Sequence, residues 1–348
     1  MTVDAVVTTR PDAATLRRPA RVRLLWLGAG VVVVLLLVIA SFAFGTRVVS
    51  LDDVWAGLGG SDGTVSAAAV TARVPRTALA LLVGAMLAMS GASMQAVTRN
   101  PLADPGILGV SFGAALAVVV GIAVFGMTSA AAYIAVAIAG AAVSAVFVYV
   151  VGSLGYGGTT PLKLALAGAA TAAALSSLIA AILLPRVDIM TTFRHWQVGG
   201  VGGASWDRVG LTVPFLVAGA VMCLALARGF NTLALGDDVA AGLGEHVART
   251  RLLGWGGAVI LCGAATAVAG PIAFVGLIVP HVCRLLLGPD YRWVLPACAV
   301  VGAGLLVGAD VVGRVVARPE EIEVGIVTAV IGAPFFVWIV RRQKVREL

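Results

Sequence analysis

Long apolar runs separated by short polar breaks set the pattern of this chain. Residues 1–22 are polar and carry Arg10, Arg17, Arg18 and Arg21; an apolar run then extends from Leu24 to Phe44. After a polar interruption over 46–75, which holds Asp52, Asp53 and Asp62, further runs cover about 77–97, 107–126, 128–152, 161–184, 209–227, 252–270, 272–288, 293–311 and 324–340. Each approaches the roughly 20 residues that a helix needs to cross the hydrocarbon core of a bilayer. The pattern therefore predicts an all-α integral membrane protein with about ten transmembrane helices. The break near residue 127 is weak, so the count is nine or eleven if it is read differently. The first run is too long for the apolar core of a signal peptide, and no small-residue cleavage site clearly ends it, so it reads as the first span.

Composition agrees with this pattern. Of 348 residues, 60% are hydrophobic and 12% charged, with mean hydropathy +1.04. A soluble globule carries roughly 25% charged residues, so this chain lacks the polar surface to cover itself in water. No stretch reads as a separate water-soluble domain. The organisation is a tail over 1–22, one membrane domain over 23–342, and a tail over 343–348.

The net charge of +7 does not point to nucleic acid, because the basic residues are scattered between apolar runs. They orient the chain instead. With an inside N-terminus and ten spans, sixteen basic residues fall on the cytoplasmic side and eight outside, as the positive-inside rule requires. Both termini are then cytoplasmic. Cys223, Cys262, Cys283 and Cys298 lie in or beside apolar runs without a C-x-x-C pair, and read as small buried side chains. His195, His246 and His281 are far apart and show no metal-ligand spacing, so no metal site and no cofactor is predicted for this chain.

Small residues recur in the spans. Gly84-Ala85, Ala88 and Gly91 return 179 positions later as Gly263-Ala264, Ala267 and Gly270, followed in each copy by Pro101 or Pro280. These are the second and seventh spans, five crossings apart, and so of opposite direction. The spacing suggests an inverted-topology repeat, with small residues allowing close helix contact.

Four segments carry candidate chemistry. Arg73-Val74-Pro75-Arg76 sits at the outer mouth of the second span. Arginines there serve either as snorkelling anchors or as a paired basic site for a partner's carboxylates, which the planar guanidinium fork suits. Gln95–Gly109 contains Asn100, Pro101, Asp104 and Pro105, which break the helix at a cytoplasmic turn. The connection Arg228–Arg251 contains Leu235, Gly236, Asp237, Asp238, Gly242, Leu243 and Gly244; the acidic pair starts a helix and the last glycine stops one. It reads as two short helices on the membrane surface that a partner protein grips. Pro280-His281 makes the run over 272–288 short or kinked, with the histidine in a structural role rather than as a proton relay.

Taken together, the segments RVPRTALALLVGAMLAMSGASMQAVTRNPLADPGILGVSFGAAL, LALGDDVAAGLGEHVARTR, AGPIAFVGLIVPHVCRLLLG and GIVTAVIGAPFFVWIV resemble the FecCD-type permease subunits of the iron-siderophore, haem and cobalamin ABC importers. The resemblance implies ten spans per subunit in a bacterial cell membrane. It implies pairing with a second permease subunit, the same chain or a related one. It also implies two cytoplasmic ATPase subunits and an external substrate-binding protein. On this resemblance Arg73, Arg76 and Arg314 meet glutamates of the binding protein, and coupling helices at about 232–247 dock into the ATPases.

The chain itself is not read as an enzyme. Its only lysines, Lys163 and Lys344, do not follow glycine, so there is no Walker A loop to cradle phosphates, and ATP hydrolysis falls to a separate chain. A secondary transporter driven by an ion gradient is the alternative reading, but such proteins keep ionisable groups in mid-membrane, and the runs hold almost none. A membrane enzyme would need a clustered nucleophile, base or metal ligand. A ferric siderophore leads as cargo, then haem and cobalamin. Ser111, Thr171, Ser176 and Ser177 are candidates for lining the pathway.

Overall fold

The computed structural model describes residues 19–47, 49–60, 63–106, 109–154 and 161–344. Arg10, Arg17, Arg18 and Arg346 of the tails lie outside these residues. Fourteen helices are described: α1 Ala20–Ala43, α2 Leu51–Leu58, α3 Val65–Thr98, α4 Val110–Phe125, α5 Ala130–Ser153, α6 Pro161–Leu183, α7 Val187–Val198, α8 Trp206–Ala225, α9 Ala227–Leu233, α10 Asp237–Gly242, α11 Val247–Ala269, α12 Val275–Leu287, α13 Tyr291–Val316 and α14 Val324–Lys344.

Seven helices are long and apolar enough to cross a membrane (α1, α3, α5, α6, α8, α11 and α13), and α4, α12 and α14 are shorter apolar helices. These ten coincide with the ten apolar runs. The weak break near residue 127 is a real one. Gly126, at φ 58°, ends α4, and the Ser129 side chain accepts from the Ala132 N–H to start α5.

The polar interruption over 46–75 is more helical than the pattern suggests. Ser50 and Asp53 form a capping box that starts α2. Thr64 caps α3, which begins at Val65 and continues through Pro75. Proline inside a helix removes one backbone bond, but here α3 is wrapped by α13, α2 and α8, and that packing holds the turn helical. The stretch read as an outer loop after residue 184 contains α7. It is too short and too polar to register as a span, but Ile189 and Phe193 bury against Ala115 and Val119 of α4.

Burial ranks the spans. The best apolar window of α3 and of α11 is 78% buried, against 6% in α1; α3 and α11 are the core and α1 is peripheral. Small residues make the core close. A Cβ at Gly91 would overlap the carbonyl of Gly276 on α12, and one at Gly84 would overlap Gly302 on α13. The packing also follows a repeat: α3 lies on α13 as α11 lies on α5, α4 on α5 as α12 on α13, and α3 on α12 as α11 on α4. Two copies of one four-helix unit, α3–α6 and α11–α14, give these pairings. The 179-residue register does not hold throughout. Gly91 is inside α3 whereas Gly270 caps α11, and Pro101 lies in a turn whereas Pro280 lies inside α12.

Candidate functional sites at the two ends of the bundle

Arg73 and Arg76 are three residues apart on α3, and Asp310 and Arg314 four apart on α13, so each pair shares a helix face. The two faces meet. Arg76 donates from Nε and Nη2 to Asp310 Oδ1 at 3.0 and 2.8 Å, and from Nη1 to Glu321 Oε2 at 2.6 Å. Arg314 Nη2 is 2.8 Å from Asp310 Oδ2 and donates to Ser41 Oγ at 2.7 Å. Its Nη1 reaches the carbonyls of Ser41 and Phe44, both at 3.2 Å. Arg73 donates to the carbonyls of Phe42 and Arg47 at 2.8 and 3.2 Å, and Arg318 to that of Gly45 at 2.8 Å.

The structure thus brings Arg73, Arg76 and Arg314 together and encloses them. Their exposures are 6%, 9% and 2%. A charge in a membrane span is tolerated when paired and hydrogen-bonded, and Asp310, 2% exposed, supplies that partner. Sequence reasoning placed Asp310 near an outer helix end and Glu321 in a loop but gave neither a role in the site. The available signal was an aspartate standing four residues before an arginine in an otherwise apolar run.

Arg99 ends α3 in the left-handed conformation, φ 51°. It is 23 residues beyond Arg76, about 35 Å at 1.5 Å per residue, so the arginine cluster and Arg99 lie on opposite sides of a hydrocarbon core of about 30 Å. Here the turn and the loop are found. Asn100 Oδ1 accepts from the Leu102 N–H at 2.9 Å and Asp104 Oδ1 from the Gly106 N–H at 2.8 Å, two Asx turns that reverse the chain at Pro101 and Pro105. Beside them, α9 and α10 are joined at Gly236, whose φ of 104° suits only glycine. Gly244, at φ 85°, follows α10.

These short helices are tied to the core by polar contacts. Asp237 accepts from Arg251 of α11 at 2.8 Å and lies 3.6 Å from Arg99. Asn231 of α9 donates to Asp290 at 2.7 Å and accepts from the Tyr291 N–H at 2.9 Å. The Glu245 carboxylate accepts from Thr250 and Thr232. Hydrogen bonds from Arg292 above all, and from Asn231, pull the Asp290 carboxyl down to about 2 despite partial burial. Facing away from the core, Leu235, Val239 and Leu243 are 59%, 51% and 64% exposed. Leu235 precedes α10, Val239 lies within it and Leu243 is its C-cap residue; these exposed apolar side chains form the ridge of the segment, beside exposed Asp238 and Gly242.

The pathway candidates separate. Ser111, with Asp104 and Pro105, lines a cavity of about 300 Å³ between α3, α11 and the segment before α12. Thr171 is buried and donates to Ala167 in its own helix at 2.7 Å. Ser176 and Ser177 are on the exposed face of α6. Among the described residues no group of three His, Cys, Asp or Glu side chains is placed to hold a metal.

Ten apolar helices, eight of them around the buried pair α3 and α11, with polar contacts concentrated at the two ends, define a multi-pass membrane permease. The chain belongs to the FecCD transport family, whose model matches residues 33–342. It is 46% identical over 273 residues to the ferric enterobactin transport system permease protein FepD of Escherichia coli (strain K12), covering 78% of this chain and 81% of that protein. It is 47% identical over 275 residues to the iron(3+)-hydroxamate import system permease protein FhuB of Bacillus subtilis (strain 168), covering 78% and 71%. It is 41% identical over 283 residues to the cobalamin import system permease protein BtuC of Halobacterium salinarum, covering 80% and 74%. A solved inward-facing conformation of a metal-chelate type ABC transporter superposes with TM-score 0.78 at 27% identity, covering 90% of this chain and 98% of that one. The family is one of permeases of ABC importers, which work with an ATPase and a binding protein.

Proposed function

We propose that this permease moves a metal chelate, a ferric siderophore in the first place, inward across a bacterial cell membrane. An external substrate-binding protein delivers it, and two separate ATPase subunits drive the movement. The substrates named for two relatives support the chelate: ferric enterobactin and iron(3+)-hydroxamate. A second permease subunit completes the pathway, and both termini are cytoplasmic.

The observation that carries the ATPase assignment is the ridge of Leu235, Val239 and Leu243. Apolar side chains exposed outside the lipid mark a surface that a partner covers. Through Asn231–Asp290 and Asp237–Arg251 this ridge is fastened to α13 and α11, so a displacement of α9–α10 reaches the core helices. At the other end the cluster of Arg73, Arg76 and Arg314 is the docking site for carboxylates of the binding protein: Arg76, whose partner Glu321 is exposed, presents the donor, and the enclosed Arg73 and Arg314 add charge. The cluster holds the guanidinium groups of Arg73, Arg76, Arg314 and Arg318 against the carboxylates of Asp310 and Glu321, an excess that favours an acidic partner.

The decisive experiment is to purify the assembled complex, identify its chains and bound chelate by mass spectrometry, and measure ATP-dependent uptake of that chelate into proteoliposomes. Uptake driven by an ion gradient without ATP overturns the proposal. Disruption of Gly236–Gly244 is expected to leave ATP hydrolysis while abolishing transport; transport at the normal rate removes the coupling role. Arg73→Glu with Arg76→Glu is expected to weaken binding-protein docking, read by surface plasmon resonance.

A further inference from the structure

We infer that Glu321 is an internal stand-in for the binding protein's carboxylate, so that docking is an exchange: Glu321 leaves Arg76 as the incoming carboxylate arrives. The inference rests on the docking role proposed for the arginine cluster, and it adds a regulation of that site.

The two carboxylates that Arg76 meets differ in kind. Asp310 is 2% exposed, on the interior face of α13, and is shared between Arg76 and Arg314. Removing it would strand buried Arg314 and leave Arg76 with Glu321 alone, which makes it a permanent member of the cluster. Glu321 is on the exposed connection between α13 and α14, its side chain 38% exposed, and among the described residues its hydrogen bond is to Arg76 Nη1. Its carboxylate is already partly in water and regains hydration on leaving, while Arg76 keeps Asp310, so this pair separates at less cost than the buried one.

The chain around it supports a swing of one side chain rather than an unfolding. The next residue, Ile322, is fixed by its N–H to the Gly313 carbonyl at 3.1 Å, while Pro319 and Glu320 before it are exposed. Arg76 holds its Nε and Nη2 on Asp310 throughout, so only Nη1 changes partner. A guanidinium pre-oriented in this way presents one donor edge to a partner at low entropic cost. The carboxylate that holds it also screens the cluster until a stronger partner arrives.

The test is docking affinity between the detergent-solubilised complex and its binding protein, by surface plasmon resonance at low and at physiological salt. Glu321→Gln is expected to tighten docking about threefold to tenfold, because the competitor is gone. Glu320→Gln, which removes the same charge one residue away from a side chain with no contact to Arg76, is expected to change it by less than about twofold. Equal effects of the two variants show a long-range charge effect and overturn the exchange; so does unchanged or weaker docking by Glu321→Gln. The double variant Arg76→Gln with Asp310→Asn removes the buried pair together and tests the underlying role. If it docks as wild type does, the docking assignment itself fails. If it loses docking while Glu321→Gln has no effect, only the exchange fails.

Discussion

The two ends of α3 are both built from arginines and carboxylates that join several helices, yet they are built in opposite ways. At the Arg76 end the charges are sealed: Asp310, Arg314 and Arg76 are buried and bridge α3, α13 and the end of α1. At the Arg99 end the pairs around Asp237 are wetter: the side chains of Asp237 and Arg99 are each 40% exposed, and the ridge beside them faces outward, although Arg23 and Asp290 nearby are 10% and 16% exposed. Burial decides what each arrangement contributes. A sealed pair is costly to break because its members have nowhere else to find compensation. A wet pair contributes little to stability and instead holds a movable element in register. The first end is a bolt, open only where Arg76 meets exposed Glu321; the second, on the coupling role proposed above, is a hinge plate for a partner.

The sharpest way to break this contrast is at the bolt. Asp310→Asn leaves Arg314 buried without its carboxylate and Arg76 with Glu321 alone, and is expected to cost about 3–5 kcal/mol. The reading is a large fall in the thermal unfolding midpoint of the purified protein in detergent. Arg76→Gln combined with Asp310→Asn recovers part of that loss, since paired removal leaves fewer stranded charges. A mild effect of Asp310→Asn alone shows that water reaches the cluster and that the two ends are alike.

Between the ends lies the close-packed middle. Gly91→Val places side-chain atoms where the Gly276 carbonyl now sits, and overpacking of this kind is expected to cost about 1–3 kcal/mol. Because α3 and α12 meet there, the loss is expected in the unfolding midpoint and in transport together. A variant as stable as wild type shows that α12 shifts freely against α3.

At the other end, Asp237→Asn removes the pairs to Arg251 and Arg99 and is expected to cost less than about 1 kcal/mol. It is nonetheless expected to reduce transport per ATP hydrolysed in the reconstituted complex, because α10 loses its tie to α11. A stability loss as large as that of Asp310→Asn makes the wet end structural after all.

These differences explain how much could be read from the residues. The ten spans were legible because apolar length alone decides them, and Gly236, Asp237 and Gly244 marked α10 because their backbone demands are local. What escaped was set by tertiary contact. α7 is a short helix stabilised by the burial of Phe193 and Ile189 against α4, and nothing in its own periodicity reports that surface. Arg73, Arg76 and Arg314 were legible as a set, but their enclosure depends on Asp310, 234 residues from Arg76 along the chain. The 179-residue spacing pointed to a repeat that the helix pairings show, while its prolines mark unrelated features.

The smallest expected effect concerns Asp290, which caps α13 and holds Asn231 of α9. Its carboxyl is lowered to about 2 from 3.8, chiefly by Arg292. A carboxylate with a depressed folded value stabilises the protein above its unfolded value and loses that contribution as pH falls toward the folded one. The contribution, on the order of 1 kcal/mol or less after solvent screening, is therefore complete above about pH 4 and fades between about pH 4 and 2. The gap in unfolding midpoint between wild type and Asp290→Asn is expected to be constant from pH 8 to 5 and to narrow below 4. A gap that instead closes near pH 6 belongs to another group, and one that stays constant to pH 2 shows that the contact of Asn231 with Asp290 does not depend on charge. In that case α9 is held to α13 by hydrogen-bond geometry alone, and the contrast between a sealed electrostatic end and a wet one becomes a contrast between charge and shape.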